Sequence, residues 1–366
     1  MTSTHLAIVA LALAACGDSG TTAPDGSVNN PDITVNEVVD FAGLPPGSDL
    51  ARGNPPSPDL ATTTVTPVGP GARDWTMYPA IVTLHNVNEI DAISDIHGDP
   101  AAMTRVLSAA GLVSASGHWT GGVKVLVITG DTIDKGAHAL AVIDAQLALE
   151  KEAAAAGGHV VVTLGNHEAE FLADPTASKA VEFVGELTAA GLDPAKVAQG
   201  DGVYGQWLMT RPLAAQVDEW FFSHAGNGGG ASVASMSSSF QKDYDAANWS
   251  DNFLIGTDSV LEARQWWTTG SSSTKVIDTD LAALPAKHIV FGHQPGKIPF
   301  TDDPQGTRSA GTMAMRYAGR IFLIDTGMSY AVADSQGALL RIVRGTPTVA
   351  SEVDPSGKVT QLWSGN

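Results

Sequence analysis

The distribution of apolar residues divides the chain into four parts. Leu6 to Ala15 is a ten-residue apolar run, LAIVALALAA. Residues 17–75 show no persistent helical or alternating pattern and hold nine of the 20 prolines, which is typical of an extended, disordered tether. From residue 76 to 345, apolar runs alternate with helical stretches, which predicts one α/β domain. Residues 346–366 contain a turn signal between two β-rich pieces, which favours a terminal hairpin.

Five apolar runs in the domain predict buried strands, and each is followed at once by a side chain that can bind a metal ion. The runs are residues 89–94, 124–129, 159–164, 219–223 and 288–291. They lead into Asp95-Ile96-His97, Gly130-Asp131, Gly165-Asn166, His224 and Gly292-His293. Ligands bind at the carboxyl ends of strands in open α/β sheets, so we expect the five strand ends to converge on one site.

A single Asp or His after a strand is most often a helix cap, a turn residue or a structural side chain. Taken together, six residues form a mixed oxygen and nitrogen donor set without a thiolate: Asp95, His97, Asp131, Asn166, His224 and His293. This donor set favours two divalent transition ions over a structural zinc site, with manganese expected first and iron or zinc as alternatives. Two such ions need a bridging carboxylate, and they lower the pKa of a bound water.

The excess of acidic over basic residues argues against some classes of function. The 366 residues include 20 Lys and Arg against 39 Asp and Glu, a net charge of −19. Such a surface repels polyanions, so the sequence argues against nucleic-acid binding. A phosphate-bearing substrate would need local positive charge, which a bound metal supplies. Cys16 is the only cysteine, which excludes disulfides within the chain and cysteine-based metal sites.

The first sixteen residues resemble a bacterial lipoprotein signal. The apolar run is too short to span a bilayer but has the length of an export-signal core. It ends in Leu13-Ala14-Ala15-Cys16, which resembles a lipobox whose cysteine is lipidated. We therefore expect an exported protein of the cell envelope, anchored by lipid at Cys16 in the periplasm, at the outer membrane or at the cell surface.

The order and spacing of the strand-end motifs resemble the calcineurin-like metallophosphoesterases. Within them the chain is similar to the phosphoprotein-phosphatase branch, including the bacterial Shewanella-like phosphatases. The motifs are Asp95-x-His97-Gly98, Gly130-Asp131-x-x-Asp134-Lys135-Gly136, Gly165-Asn166-His167-Glu168, His224-Ala225-Gly226 and Gly292-His293. The resemblance implies an α/β fold, a β-sandwich flanked by helices in an αββα arrangement, with two metal ions along one edge.

The resemblance also implies roles for individual residues. One metal ion would be held by Asp95, His97 and Asp131, and Asp131 would bridge to the second ion. Three further residues would complete the second site: Asn166, His224 and His293. His167 matches the family's general acid, which protonates the leaving alkoxide, and Asp134 matches the carboxylate that orients it. Glu168 would have a supporting role.

Departures from the family pattern concern how phosphate is held. Lys135 stands where the eukaryotic phosphatases have arginine, so it keeps the positive charge and loses the bidentate fork. Leu164 also replaces an arginine, and Gln294 follows His293 without the second histidine of many diesterase-type relatives, which favours phosphomonoesters. Arg264 lies between the two late histidine motifs, where relatives supply a phosphate-binding arginine; alternatively, it is a solvated arginine on an amphipathic helix.

The function predicted from these residues is a two-metal phosphatase. It would hydrolyse phosphomonoesters by attack of metal-bound hydroxide, with phosphorylated proteins (at Ser, Thr or Tyr) or small phosphomonoesters as substrates. One alternative keeps the metals and acts on dinucleoside polyphosphates or phosphodiesters. A second alternative is a metal-binding surface lipoprotein without catalytic activity, although all six ligands and both acid-base residues are present.

Overall fold

The computed structural model describes residues 73–366 except 271 and 334. The expected signal at residues 1–16, Cys16 and nearly all of the tether lie outside the described residues. The strands are β1 (Ile81–Leu84), β2 (Glu89–Ile93), β3 (Val125–Ile128), β4 (His159–Val162), β5 (Ala214–Val217), β6 (Trp220–Ser223), β7 (His288–Phe291), β8 (Ala314–Arg316), β9 (Ile321–Leu323), β10 (Leu339–Val343), β11 (Thr348–Val353) and β12 (Val359–Gly365). The α-helices are α1 (Pro100–Ala109), α2 (Ala139–Ala155), α3 (Asn166–Ala173), α4 (Val181–Ala189), α5 (Pro194–Ala198), α6 (Gly202–Thr210), α7 (Val233–Asp245), α8 (Asn252–Ile255) and α9 (Ser273–Ala282).

The strands form two mixed six-stranded sheets. The first has the order β1-β5-β6-β7-β9-β8 and the second the order β12-β11-β10-β2-β3-β4. The five strands predicted from the sequence are β2, β3, β4, β6 and β7. In the second sheet β2, β3 and β4 are parallel neighbours, and in the first sheet β6 and β7 are parallel neighbours. Parallel strands end at the same edge of their sheet, so each group brings its following loops together.

The alternation of side chains explains why the two sheets lie between layers of helices. Ile90 and Ala92 of β2 pack in one apolar cluster with Phe222 and Val290 of the other sheet. Ile93, on the opposite face of β2, packs in a second cluster, which contains the apolar residues of the helices. Both faces of the central strands are therefore buried, which is why their sequences are continuous apolar runs. The predicted helix-flanked β-sandwich is confirmed.

The C-terminal strands extend the sheet that carries the first three motifs. β10 pairs antiparallel with β2, β11 with β10, and β12 with β11. Residues 346–366, expected as a tail with a hairpin, thus add two strands to this sheet. Among the described residues, none of the helices has both the length and the apolar character needed to cross a bilayer.

The packed structure begins before the predicted boundary at residue 76. The Arg73 guanidinium is buried and donates to the backbone oxygens of Met209 and Arg211, at 3.0 Å each. It also lies 4.7 Å from the centre of the Trp75 ring. Five donors in a planar fork let a buried arginine satisfy several carbonyls at once, which fixes this segment against the end of α6.

Candidate metal centre

The six predicted metal ligands converge at one edge of the sandwich, and none is more than 5% exposed. Four of them follow β2, β3 and β4 of the second sheet: Asp95, His97, Asp131 and Asn166. The other two, His224 and His293, follow β6 and β7 of the first sheet. The site therefore lies where the carboxyl ends of two sets of parallel strands meet, as the sequence predicts.

Asp131 lies between the two groups of ligands. Its Oδ2 is 3.5 Å from Nε2 of His97, and its Oδ1 is 3.3 Å from Nε2 of His224. Asp95 lies on the His97 side, with Oδ1 4.0 Å from that ring's Nε2. A carboxylate that faces one imidazole with each oxygen has the geometry required of a bridging ligand.

The second group of donors is packed around Nε2 of His224. This nitrogen lies 3.0 Å from Oδ1 of Asn166 and 3.1 Å from Nδ1 of His293. The backbone N–H of His293 donates to Oδ2 of Asp95 at 3.0 Å, so the two sheets are joined through the site itself. Three donors from three loops thus surround one small volume.

The loops after β2 and β3 depart from ordinary backbone geometry. Five non-glycine residues between positions 95 and 135 have positive φ angles: Asp95 (53°), His97 (45°), Asp131 (52°), Asp134 (62°) and Lys135 (61°). Left-handed backbone is unfavourable for residues with a Cβ and persists where the surroundings enforce it, commonly at functional sites.

Glu168 enforces much of this geometry. Its carboxylate accepts four backbone N–H groups, from Gly165 (2.7 Å), Thr132 (2.8 Å), Asp131 (3.0 Å) and Ile133 (3.1 Å). The side chain is fully buried, at 0% exposure. As the third residue of α3 it also completes the cap of that helix. One carboxylate therefore holds the loop of the bridging ligand against the start of α3.

Two glycines allow the same loops to touch. A Cβ on Gly130, which has φ of 82°, would overlap the backbone of Gly165. A Cβ on Gly165 would in turn overlap the backbone N and the carboxylate of Asp131. Only glycine permits this approach of the β3 and β4 loops, which explains the glycines of the Gly130-Asp131 and Gly165-Asn166 motifs.

His167 and Asp134 form the predicted pair beside the ligands. Nδ1 of His167 lies 3.1 Å from Oδ2 of Asp134, whose Oδ1 accepts the backbone N–H of Phe183 at 3.2 Å. Burial lowers the pKa of His167, but the charge of Asp131 and the hydrogen bond to Asp134 outweigh it and raise that pKa above its usual value. An imidazole that keeps its proton in this position is suited to donate it.

The charge state of the histidines differs within the site. Burial, beside Lys135, lowers the pKa of His97 to about 3. Burial and the neighbouring His224 lower the pKa of His293 to about 2. Burial opposes protonation of His224 as well, but the charge and hydrogen bond of Asp131 raise its pKa to about 10. Two imidazoles are therefore neutral, the form that binds metal, and one carries a proton that a metal ion would replace.

The two predicted phosphate-binding cations differ in position. Nζ of Lys135 lies 3.0 Å from Nε2 of His97, so its ammonium reaches the ring of carboxylates and imidazoles. Arg264 is exposed, and its charge is close enough to lower the pKa of His293. The neighbouring Trp266 and Trp267 are core residues, at 3% and 0% exposure.

The structure also places two further carboxylates beside the candidate ligands, and the sequence alone assigns neither of them a role in the site. Oε2 of Glu262 lies 3.5 Å from Nε2 of His293. Asp325 is buried behind Asp95, and its Oδ2 has no hydrogen-bond partner within the described part of the chain. Both residues lie in irregular segments, where no periodicity shows which way a side chain points.

The donor set fits divalent metal ions. One donor atom each of His97, Asp131 and His167 lie within 4.8 Å of one another. The same holds for Asp131, His224 and His293. Imidazole nitrogen with carboxylate and amide oxygen is a set suited to manganese, iron or zinc, and Asp131 is common to both groups.

Comparison with known families and curated proteins gives matches over different lengths. Residues 89–306 match the family model described as calcineurin-like phosphoesterase. The Shewanella-like protein phosphatase 2 of Arabidopsis thaliana is 39% identical over 77 residues, 21% of this chain and 20% of that protein. An uncharacterized protein of Schizosaccharomyces pombe is 28% identical over 311 residues, 78% of this chain and 84% of its own. The match to the Arabidopsis phosphatase thus spans about a fifth of that relative's length.

A solved structure shows a similar fold. The cold-active protein tyrosine phosphatase of a psychrophilic Shewanella species superposes with a TM-score of 0.60. The superposition covers 77% of this chain and 83% of that protein at 20% sequence identity. The two-sheet architecture is thus shared over most of both chains.

Proposed function

The chain belongs to the calcineurin-like phosphoesterases, and on this premise we propose that it is a two-metal phosphomonoesterase that acts on phosphorylated proteins. One observation carries the proposal: a buried His167–Asp134 pair stands beside a carboxylate that faces imidazoles on both sides. Hydrolysis of a phosphate ester by two metal ions requires a proton donor for the leaving group next to the metal-binding residues.

Under this proposal the ligands form two metal positions, which follow the two groups of side chains described above. The first position is formed by Asp95, His97 and Asp131. The second is formed by Asp131 together with three residues: Asn166, His224 and His293. When bound, the ions supply positive charge for the phosphate and a nucleophile at neutral pH. Manganese suits the oxygen-rich donors, with iron or zinc as alternatives.

The chain's own residues position and complete the reaction. Asp134 fixes the His167 ring through Nδ1, so the other ring nitrogen is left to protonate the departing alkoxide. Lys135 and Arg264 place positive charge near the phosphate in a protein whose net charge is −19. Both cations are exposed, so a phosphorylated side chain on a larger molecule would approach from their side of the site.

Two observations support monoesters and phosphoproteins in particular. Gln294 follows His293, so this chain lacks the second histidine that the resemblance associates with diesterases. Two curated relatives are named as Shewanella-like protein phosphatases, and one solved structure of similar fold is a protein tyrosine phosphatase.

The test compares hydrolysis of para-nitrophenyl phosphate with hydrolysis of its bis-ester by the purified full-length chain. Turnover is measured with manganese and with a chelator. We expect manganese-dependent monoester turnover well above diester turnover, followed by release of phosphate from phosphopeptides. Dominant diester turnover would contradict the monoesterase proposal, and absence of turnover with manganese, iron and zinc would contradict catalysis of simple esters.

We further propose that the enzyme is a lipid-anchored envelope protein. The support is the apolar run that ends at Cys16 and the proline-rich segment between it and the domain. Metabolic labelling with a radioactive fatty acid in a bacterial host tests this proposal. We expect label in the parent chain and none in Cys16→Ser; equal labelling of both would contradict it.

A further inference from the structure

The three histidines of the site are held in two different ways. Nδ1 of His97 donates to the backbone oxygen of Ile133 at 3.1 Å, and Nδ1 of His224 donates to that of Thr129 at 2.7 Å. A carbonyl only accepts, so each of these rings carries its proton on Nδ1 and turns Nε2 toward Asp131. Backbone fixed by the fold therefore orients both rings.

His293 is turned the other way. Its Nδ1 faces the site, 3.1 Å from Nε2 of His224, and its Nε2 is on the side of Glu262. A neutral imidazole whose Nδ1 lone pair faces a metal carries its proton on Nε2, which then needs an acceptor. Nε2 of His293 is buried and makes no hydrogen bond within the part of the chain that the structure describes.

The charged group beside this nitrogen is Glu262. Its Oε2 lies 3.5 Å from Nε2 of His293, within ion-pair distance and slightly beyond a hydrogen bond. The backbone at Glu262 is fixed, because its N–H donates to the Ser259 hydroxyl at 3.0 Å and Ala263 N–H donates to the Ser259 carbonyl at 3.0 Å. Only the Glu262 side chain, and not its backbone, would have to move to bring the two atoms within hydrogen-bond distance.

The second oxygen of the same carboxylate is tied to α3. Oε1 of Glu262 lies 3.7 Å from Nζ of Lys179, which pairs with Oε1 of Glu170 at 2.5 Å. Glu170 is on α3, the helix that begins with Asn166. The two oxygens of Glu262 are thus divided, one toward a lysine held by α3 and one toward the histidine.

We infer that Glu262 is a positioning residue for the second metal position: its carboxylate accepts the Nε2 proton of His293 and so keeps Nδ1 of that ring directed at Nε2 of His224. The inference rests on the proposed function, because it takes His293 as a metal ligand. Glu262 does for His293 what backbone carbonyls do for His97 and His224. Side-chain support of this kind can be removed by a single substitution, whereas backbone support cannot.

The experiment measures manganese binding to the metal-depleted full-length protein by calorimetry, without substrate. Glu262→Ala removes the acceptor, and Glu262→Gln keeps an oxygen that can accept the proton. We expect Glu262→Ala to weaken one of the two binding steps by about 10- to 100-fold, the range for loss of an outer hydrogen-bond partner of a ligand. Glu262→Gln should restore part of that loss.

The matched control is Glu152→Ala. Glu152 also pairs with a histidine, because its Oε1 lies 2.8 Å from Nδ1 of the exposed His118. His118 is not one of the proposed metal ligands. This variant should bind both ions with parental affinity. The melting temperatures of all metal-depleted variants are compared with that of the parent, so a folding defect is separated from a binding defect.

Two results would overturn the inference: parental manganese affinity in Glu262→Ala, or a loss that Glu262→Gln does not reduce. A second readout is the manganese concentration for half-maximal turnover, which should rise in Glu262→Ala while KM for para-nitrophenyl phosphate changes little. If the parent chain itself binds no manganese, the proposed function fails, so the two failures are distinguishable.

Discussion

The two halves of the metal centre are built differently. The half from the second sheet, around Asp95, His97 and Asp131, has strained backbone and is held by the four hydrogen bonds of Glu168. In the half from the first sheet, His293 also has a positive φ, of 67°, but His224 does not, and the buried Ser223 hydroxyl makes two hydrogen bonds, with the N–H and the C=O of Gly226.

The second half also depends on the first. His224 donates to the Thr129 carbonyl beside the β3 loop, and the His293 N–H donates to Asp95. The carboxylate-rich half is therefore set by its own internal bonds, and the imidazole half is positioned by contact with it. Substitutions in the first half should disturb both, and substitutions in the second half should have more limited effects.

The largest effect is expected at the residue that the halves share. Asp131→Asn keeps the shape of the side chain and removes the charge that faces both His97 and His224. We expect manganese-dependent turnover to fall to background and metal affinity to drop by more than about 100-fold, beyond the loss for an outer-shell partner. Turnover assays and metal analysis after gel filtration check this; retention of two ions per chain would contradict a bridging role.

The acid-base pair belongs only to the first half. Asp134→Asn and His167→Asn should lower kcat by about 10²- to 10⁴-fold, the usual contribution of a positioned proton donor. Metal binding should stay near the parental value, since neither side chain is a proposed ligand. Nitrophenol is a good leaving group, so the loss should be greater with phosphoserine peptides. Equal losses on both substrates would argue against proton donation by His167.

A direct comparison of the halves pairs Glu168→Ala with Ser223→Ala. The first leaves four buried N–H groups without their acceptor, and the second leaves one N–H and one C=O. At about 1–3 kcal/mol for each unsatisfied buried group, with partial relaxation, Glu168→Ala should lower the free energy of unfolding by about 3 kcal/mol or more and Ser223→Ala by about 1–2 kcal/mol. Urea unfolding measures both, and equal losses would contradict the difference in internal support between the two halves.

The contact between the halves predicts proton release on metal binding. The pKa of His224 is raised to about 10, so below that pH the metal-free ring is charged, and a metal ion must displace its proton. Displacement of one proton makes apparent affinity rise about tenfold per pH unit between pH 7 and 9. Calorimetry in buffers of different ionisation enthalpy measures the released protons, and pH-independent affinity would contradict the assignment.

The smallest effect on activity is expected from Arg264, an exposed residue near His293 in the second half of the site. Arg264 is exposed, so its attraction for phosphate is screened by water. Arg264→Ala should raise KM for para-nitrophenyl phosphate about threefold to tenfold with little change in kcat, consistent with an exposed charged contact. A matched substitution at the exposed Arg344, which pairs with Asp218 outside the site, should leave KM unchanged.

Much of the fold, and the convergence of the candidate ligands at one edge of it, could be predicted because each motif is local. Asp131 and Asn166 directly follow β3 and β4, so strand direction alone brings them together. Contacts between distant irregular segments could not be predicted. Nothing in the residues around Glu262 shows that its carboxylate faces His293, and no spacing shows that Arg73 packs on the end of α6.

The pairing of β2 with β10 has a consequence for how the enzyme is made. Arg341 on β10 donates to Asp91 on β2 across 250 positions of the chain, at 2.8 Å. During synthesis, β2 therefore lacks one of its two neighbours until the ribosome has passed the last metal ligand. Closing so long a loop is entropically costly and slow. The strand that leads to Asp95 completes its pairing only after every proposed metal ligand has been translated, so hydrolytic activity and the finished sheet should arise together.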